Sequence, residues 1–417
     1  MSKIALFMLC LFVAFLPFEM MAAFGELPSG AKLLGMVVVG TALAAFIAGH
    51  PVRLIPLALV LRIALVAWAV FSLGWSYAPD DSLAAIPRHL QLLVFVLIVW
   101  EFAVTYRDHL WLLRAYLFGM FMPLLMVYAD RWGLYHIREA SEEVGRSSGG
   151  GQDANYLAAM LAITMVLAVY LATNPQRFDR RVAPLYWLMV ALAVPAILLT
   201  GSRSGFICLL AAVPCAMLVG GVSLRRALRL MGYGAAALAA VVIARYVVPA
   251  LLWERSTDLT TQVHTFESRY AYWERGMVYG FLPHPLAGIG VGAFSAGVTQ
   301  MSGVWTGSAH NLVIYLLVEL GVVGTVIFTV FIALVVRAAF QLPWREKALW
   351  LGILCIWFIM SMAVGSQTGK LDWLIQVLVL CQAAAFRRSA VKGRSPRVAP
   401  LSGLAPGRPP RPSFGKP

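Results

Sequence analysis

Apolar residues run along this chain in blocks of about 20, the length one helix needs to cross a bilayer core of about 30 Å. Twelve such blocks are read: 4–24, 31–50, 54–75, 89–106, 109–129, 155–173, 183–200, 204–222, 231–251, 310–336, 348–364 and 371–386. Within them the apolar positions do not alternate with polar ones, which excludes an outer-membrane barrel. The pattern predicts an all-α, polytopic integral membrane protein with about 12 transmembrane helices. The first block, behind Lys3, is longer than a signal peptide needs and is read as a retained helix.

Composition agrees. Of 417 residues, 61% are hydrophobic and 12% charged, where a soluble domain carries about 25% charged residues. The net charge of +14 could suggest nucleic acid, but its placement argues otherwise. With the N-terminus in the cytoplasm, 20 of the 33 basic residues fall inside and 10 outside, leaving Arg62, Arg114 and Arg245 within spans. The positive-inside rule selects that orientation, and an even span count returns the C-terminus to the cytoplasm. The five cysteines lie in apolar runs without metal-binding spacing, so no metal and no disulfide framework is expected.

The segments outside the spans divide the chain. Residues 1–386 form the transmembrane domain, and 387–417, rich in Pro, Gly and Arg, read as a disordered cytoplasmic tail that binds anionic lipids and no nucleic acid. Two outer loops are long. One, 130–154, carries Arg146 and a Ser147–Gly151 hinge before Asp153, a helix cap. The other, 252–309, precedes the tenth span and exceeds ordinary loop length, so it is expected to carry part of a site. Within it Tyr270, Trp273, Met277 and Phe281 recur at helical spacing, which predicts an amphipathic helix along the membrane surface.

Several outward residues could do chemistry. Gly201-Ser202-Arg203-Ser204-Gly205 reverses the chain at a helix start, where free N–H groups and an arginine suit a phosphate; a capped hairpin with a snorkelling arginine accounts for it equally. Arg269 and Arg275 are six residues apart, about 240° around a helix, so they do not serve one site. His310, beside Asn311 at a span mouth, can titrate near neutrality and reach a substrate hydroxyl. The run Gly288-Ile289-Gly290-Val291-Gly292 lacks the strand-and-helix setting of a dinucleotide loop. Glu319, about 13 Å into the span and turned away from His310, reads as structural. Arg62 and Glu101, at similar depth, are expected to pair.

In this order, these elements resemble the O-antigen ligase and polymerase family of bacterial envelope glycosyltransferases. The matching pieces are Asp153-Ala154-Asn155-Tyr156-Leu157-Ala158, Thr200-Gly201-Ser202-Arg203-Ser204-Gly205 and Arg269 four before Trp273. They continue with His284-Pro285-Leu286-Ala287-Gly288-Ile289-Gly290, His310-Asn311 and Glu319-Leu320-Gly321.

The resemblance implies a GT-C-like transferase of the inner membrane with its active site on the periplasmic face. It would need no cofactor and no metal. The donor would be an undecaprenyl-pyrophosphate-linked glycan, and the acceptor a hydroxyl of lipid A–core (a ligase) or of the growing glycan (a polymerase). Arg203 and Arg269 would bind pyrophosphate and His310 would orient or deprotonate the acceptor. Ser202, Ser204, Arg275, Asn311 and Arg146 would complete the substrate contacts. Ser204 departs from the glycine common in the family. A transporter of lipid-linked glycans is the reading from another class, and it predicts broken helices in two matching halves.

Overall fold

The structure, a computed structural model, describes residues 1–18, 30–134, 153–223, 225–227, 229, 232, 269–365 and 369–391. Regular structure among them is entirely helical. The helices are α1 Ser2–Phe15, α2 Gly30–Ile47, α3 Leu57–Phe71, α4 Pro79–Phe102, α5 Tyr106–Arg131, α6 Ala154–Ala172, α7 Arg177–Leu199 and α8 Arg203–Val219. There follow α9, residues 269–275 continued by a π-helical turn Gly276–Phe281, then α10 Phe294–Ser302, α11 Leu312–Phe340, α12 Trp344–Val364 and α13 Lys370–Val391.

Seven are long and apolar enough to cross a membrane: α3 with its extension to Trp75, α4 to α7, α11 and α12; α1, Leu33–Ile47 of α2 and α8 are shorter apolar helices. The chain is a polytopic membrane protein. Eleven predicted spans overlap described helices; residues 19–24 of the first span and 231 and 233–251 of the ninth lie outside the described residues.

Two helices are buried along most of their length and form the centre of the bundle. α6 is buried from Tyr156 to Leu171 and contacts α5, α7, α8 and α12. α13 is buried from Leu371 to Ala384's neighbour Ala383 and contacts α4, α5, α11 and α12. Cys208 and Cys215 face α12, where Gly352 leaves room: a Cβ there would stand 1.9 Å from the Cys215 sulfur.

Several boundaries move for local reasons. α4 begins at Pro79, ten residues before its apolar block, because Pro at the helix start and Asp80 and Asp81 in the first turn favour initiation there. α13 runs to Val391, past the expected start of the tail, and Arg388 caps the Val104 carbonyl at 2.7 Å; residues 392–417 lie outside the described residues. α9 does not lie free along a surface. Trp273, Met277 and Phe281 pack on Ile289, Phe294, Val298 and Val318, while Tyr270 alone of the predicted stripe is exposed.

The expected Arg62–Glu101 pair does not form. Glu101 lies 3.2 Å from His50 Nε2 and accepts from the Arg53 backbone N–H at 3.1 Å. The Arg62 guanidinium stacks 3.5 Å from the Trp373 ring centroid, and Asp372 supplies its opposite charge. Equal depth in two spans does not fix which helix faces which.

α11 is broken. Gly321 has φ 66° and ψ −168°, non-helical values in the middle of a span. In an unbroken helix the carbonyls of 318 and 319 would pair with the N–H groups of 322 and 323. Here the Ile289 and Gly290 N–H groups bond the Val318 and Glu319 carbonyls at 2.9 and 3.0 Å. The Val322 and Val323 N–H groups bond the carbonyls of Pro285 and Leu286 at 2.8 and 3.2 Å. Trp68 Nε1 donates to the Leu320 carbonyl at 3.0 Å. The glycine run thus works as an inserted loop. Glu319 explains its depth in the same place: Oε1 accepts the Phe294 N–H at 3.3 Å, capping α10 from outside.

Two predictions concern this scaffold. A Cβ at Gly288 would stand 2.5 Å from the Glu319 carbonyl, and one at Gly321 2.3 Å from the Leu286 oxygen, whereas Gly303 (φ +70°) is open. Gly288→Ala and Gly321→Ala should each cost on the order of 3 kcal/mol or more, and Gly303→Ala about 1 kcal/mol. Thermal unfolding in detergent reads this, and equal shifts at 303 and 321 would contradict it. In the second, Asp372→Leu strands the buried Arg62 charge and should cost about 3–5 kcal/mol, much of which the double variant Arg62→Met/Asp372→Leu recovers.

Candidate active site

Three helix starts converge at one end of the bundle. Asp153 caps α6, its carboxylate accepting from the Asn155 and Tyr156 N–H groups at 2.8 and 3.0 Å. Ser202 caps α8 by accepting from Gly205 N–H at 2.9 Å. Asn311 caps α11 by accepting from Val313 and Ile314 N–H at 3.0 and 3.2 Å. The first two are tied together, since Asn155 Oδ1 accepts from the Ser202 and Ser204 hydroxyls at 2.7 and 3.2 Å. Gly205 permits the approach: a Cβ there would stand 2.4 Å from that of Ala158. Ser202 and Ser204 therefore join α6 to α8, and Arg203 between them is left exposed on the first turn.

His310 does not begin the helix, as its apolar block suggested; it precedes the cap with φ 48°, the one non-glycine residue at positive φ among those described. Such a conformation persists where surrounding contacts fix it. Trp273 of α9 donates from Nε1 to the neighbouring Ala309 carbonyl at 2.6 Å. One helical turn before Trp273, on the same face, stands Arg269. Gly365, ending α12 at φ +69°, leaves no room for a Cβ, which would stand 2.8 Å from Asn311 N.

The ring of His310 is pushed below its ordinary pKa by burial first and by the Arg269 charge second, against an upward pull from Asp153 and from the nearby Val364 carbonyl. Those influences place Arg269, Asp153 and His310 in one neighbourhood. The ring is neutral at pH 7, and Nδ1 is buried with no hydrogen-bond partner among the described residues.

Arg275, by contrast, donates from Nη1 to the Trp305 carbonyl at 2.9 Å and lies 6.0 Å from the Tyr272 ring. Arg146 lies outside the described residues. Among the described residues no group of three or more His, Cys, Asp or Glu could hold a metal.

The arrangement collects positive potential: three helix N-termini, each worth a fraction of a charge, with Arg203 and Arg269 beside them. The opposite end of the same helices is treated in the opposite way. There Arg345 donates to the Tyr170 carbonyl at 2.7 Å and the Val219 carbonyl at 3.2 Å, at the C-termini of α6 and α8. One end of the bundle thus suits a multiply charged anion next to a neutral imidazole.

An all-helical, multi-pass membrane protein with arginines and an imidazole at the capped helix starts of one end is the class these features define. Residues 188–329 match the Wzy_C family model, O-antigen ligase, so the chain carries a domain of that family. The matched stretch holds Arg203, Arg269, Arg275, His310, the inserted loop and the break at Gly321. Its members are O-antigen ligase- and polymerase-type membrane glycosyltransferases acting on lipid-linked glycans. No curated protein matches the chain.

The contribution of Asp153 to His310 was not foreseen from the sequence, where it read only as a cap. Its direction can be tested. By NMR titration in detergent, Arg269→Ala should raise the His310 pKa by removing a repelling charge, and Asp153→Asn should lower it. Shifts of opposite sign would mean the three side chains are not neighbours.

Proposed function

We propose that this protein transfers a glycan from undecaprenyl pyrophosphate to a sugar hydroxyl at the periplasmic face of the inner membrane, as an O-antigen ligase with lipid A–core as acceptor. The observation that supports the reading is the tie between the α6 and α8 starts at Asn155, with Arg203 exposed beside it and Asp153 and Arg269 acting on the His310 ring before α11. In this reading Arg203 and Arg269 neutralise the pyrophosphate as it leaves, with the helix ends adding fixed dipoles. His310, held neutral by burial and by Arg269, accepts the proton of the acceptor hydroxyl or orients it. The hydroxyl oxygen bonds to the anomeric carbon, the bond from that carbon to the pyrophosphate breaks, and the charge stays on the phosphate.

The excess of basic residues in the predicted cytoplasmic segments supports the periplasmic placement. A polymerase that extends the lipid-linked glycan uses the same groups and is the second reading. Deleting the gene separates them: short lipopolysaccharide with accumulated lipid-linked polymer marks a ligase, a single capped repeat a polymerase. The break in α11 lends the transporter reading little. Its freed carbonyls at 318, 319 and 320 are already bonded by Ile289, Gly290 and Trp68, so they are not open to an ion.

Transfer by purified protein tests the proposal. His310→Ala should keep donor binding and lose about 10²- to 10⁴-fold in rate. Arg203→Ala and Arg269→Ala should lose about 2–5 kcal/mol of donor interaction, roughly 30- to several thousand-fold, and lysine should not restore it. Wild-type activity should fall as pH drops through a His310 pKa that lies below that of an ordinary histidine. Wild-type rates in His310→Ala would end the proposal.

A further inference from the structure

We infer that the open cleft between the α3–α4 turn and the inserted loop is a saccharide platform, binding a neutral sugar of one of the glycan substrates. The inference rests on the glycan-transfer reading for the identity of its ligand. The cleft has a volume of about 570 Å³, within the range of small-molecule sites, and Trp75, Ser76, Tyr77, His284 and Pro285 line it. It uses His284 and Pro285, which the pyrophosphate-and-base site leaves unused.

The chemistry of the lining fits a pyranose. A sugar ring presents a flat C–H face and a rim of hydroxyls. Trp75 and Tyr77 supply aromatic faces that are 36% and 38% exposed, far from buried for side chains so apolar. The Tyr77 and His284 ring centroids lie 4.7 Å apart, so a phenol and an imidazole, each able to hydrogen-bond a sugar hydroxyl, stand together beside those faces. The lining residues carry no Lys, Arg, Asp or Glu. Asp80 and Asp81, exposed just after Tyr77, repel phosphate and favour an uncharged ligand. Two adjacent exposed carboxylates also keep this turn in water rather than in hydrocarbon.

The platform is built to stay in place. Tyr77 N–H donates to the Ile289 carbonyl at 3.0 Å, and Gly290 lies so close that a Cβ would stand 2.5 Å from the Ser76 hydroxyl. Trp75 packs on Trp68 with centroids 5.2 Å apart, and Trp68 bonds the broken helix. Such preorganisation limits the ordering cost of binding. The inserted loop follows α9, which carries Arg269, so the cleft opens on the same end of the bundle as the three capped helices.

Saturation-transfer NMR on the full-length protein in detergent tests this. The probes are oligosaccharides freed of lipid by mild acid from the cell's own envelope glycolipids, acceptor-derived and donor-derived in separate samples. Ring protons of one set should take saturation from the protein, and the responding set tells which glycan docks. Tyr77→Ala and, separately, His284→Ala should weaken that binding about tenfold, and Tyr77→Phe should retain most of it. His284 is partly exposed and its loss does not threaten the fold, so it decides the matter if Tyr77→Ala fails to fold. No saturation in either sample, or equal saturation in wild type and His284→Ala, would overturn the inference and leave an interfacial aromatic belt. Binding without transfer by the wild type would sink the proposed reaction and spare the platform. Transfer without this binding would do the reverse.

Discussion

Inside a bilayer no water is at hand to bond a freed backbone group, so every interruption of a helix must be mended by protein. The mending of α11 at Gly321 is the interaction on which the rest of this architecture turns. Four backbone bonds carry residues 285–290 into the gap, each replacing a group the helix gave up. The glycines at 288 and 321 are required because their neighbours are backbone atoms, which cannot rotate aside. The exchange keeps the hydrogen-bond count and gains geometry: the loop is pinned to a span, and what it carries is pinned with it.

The consequences reach the candidate site by two routes. Glu319, at the break, caps α10, and α10 leads to Thr306, whose N–H bonds Thr299 Oγ1 at 2.9 Å, and so to His310. α9 packs its apolar face on the same cluster and hands Trp273 to the Ala309 carbonyl. A titratable ring at positive φ needs this support from both sides. The polarity of the bundle is the second constraint. α6, α8 and α11 run parallel, so their positive ends meet at the site while Arg345 meets the negative ends of α6 and α8.

The spans were legible because hydrophobic runs of helical length are the strongest signal a sequence carries. Two caps were legible too: Asp153 and Ser202 each bond the N–H groups their residue types suggest, whereas Asn311 read only as the neighbour of His310 and proves to be the cap of α11. What failed was any inference about which helix faces which. Arg62 met Asp372 and Trp373 across 310 residues of chain, a pairing that depth alone cannot choose. The stripe of α9 was read correctly as apolar but assigned to lipid, because sequence does not say whether an apolar face meets a membrane or another helix. The glycine run was read for what it is not. Its real role needed the partner strand of backbone at 318–323, which no local pattern announces.

The same limits explain why Glu319-Leu320-Gly321 and the Gly288–Gly290 run occur together in one chain. Each is unfavourable alone: a carboxylate and a positive-φ glycine inside a span, and a turn-rich loop next to it. Only their combination satisfies both, since Gly290 donates to the carbonyl of Glu319 while the Glu319 side chain caps the helix that follows the loop. A change that repairs one half, by restoring helix at 321, would leave the Ile289 and Gly290 N–H groups unbonded and release α10. The break is therefore a joint between the transmembrane bundle and the segment that carries Arg269 and His310, and the two can keep their mutual position only while it holds.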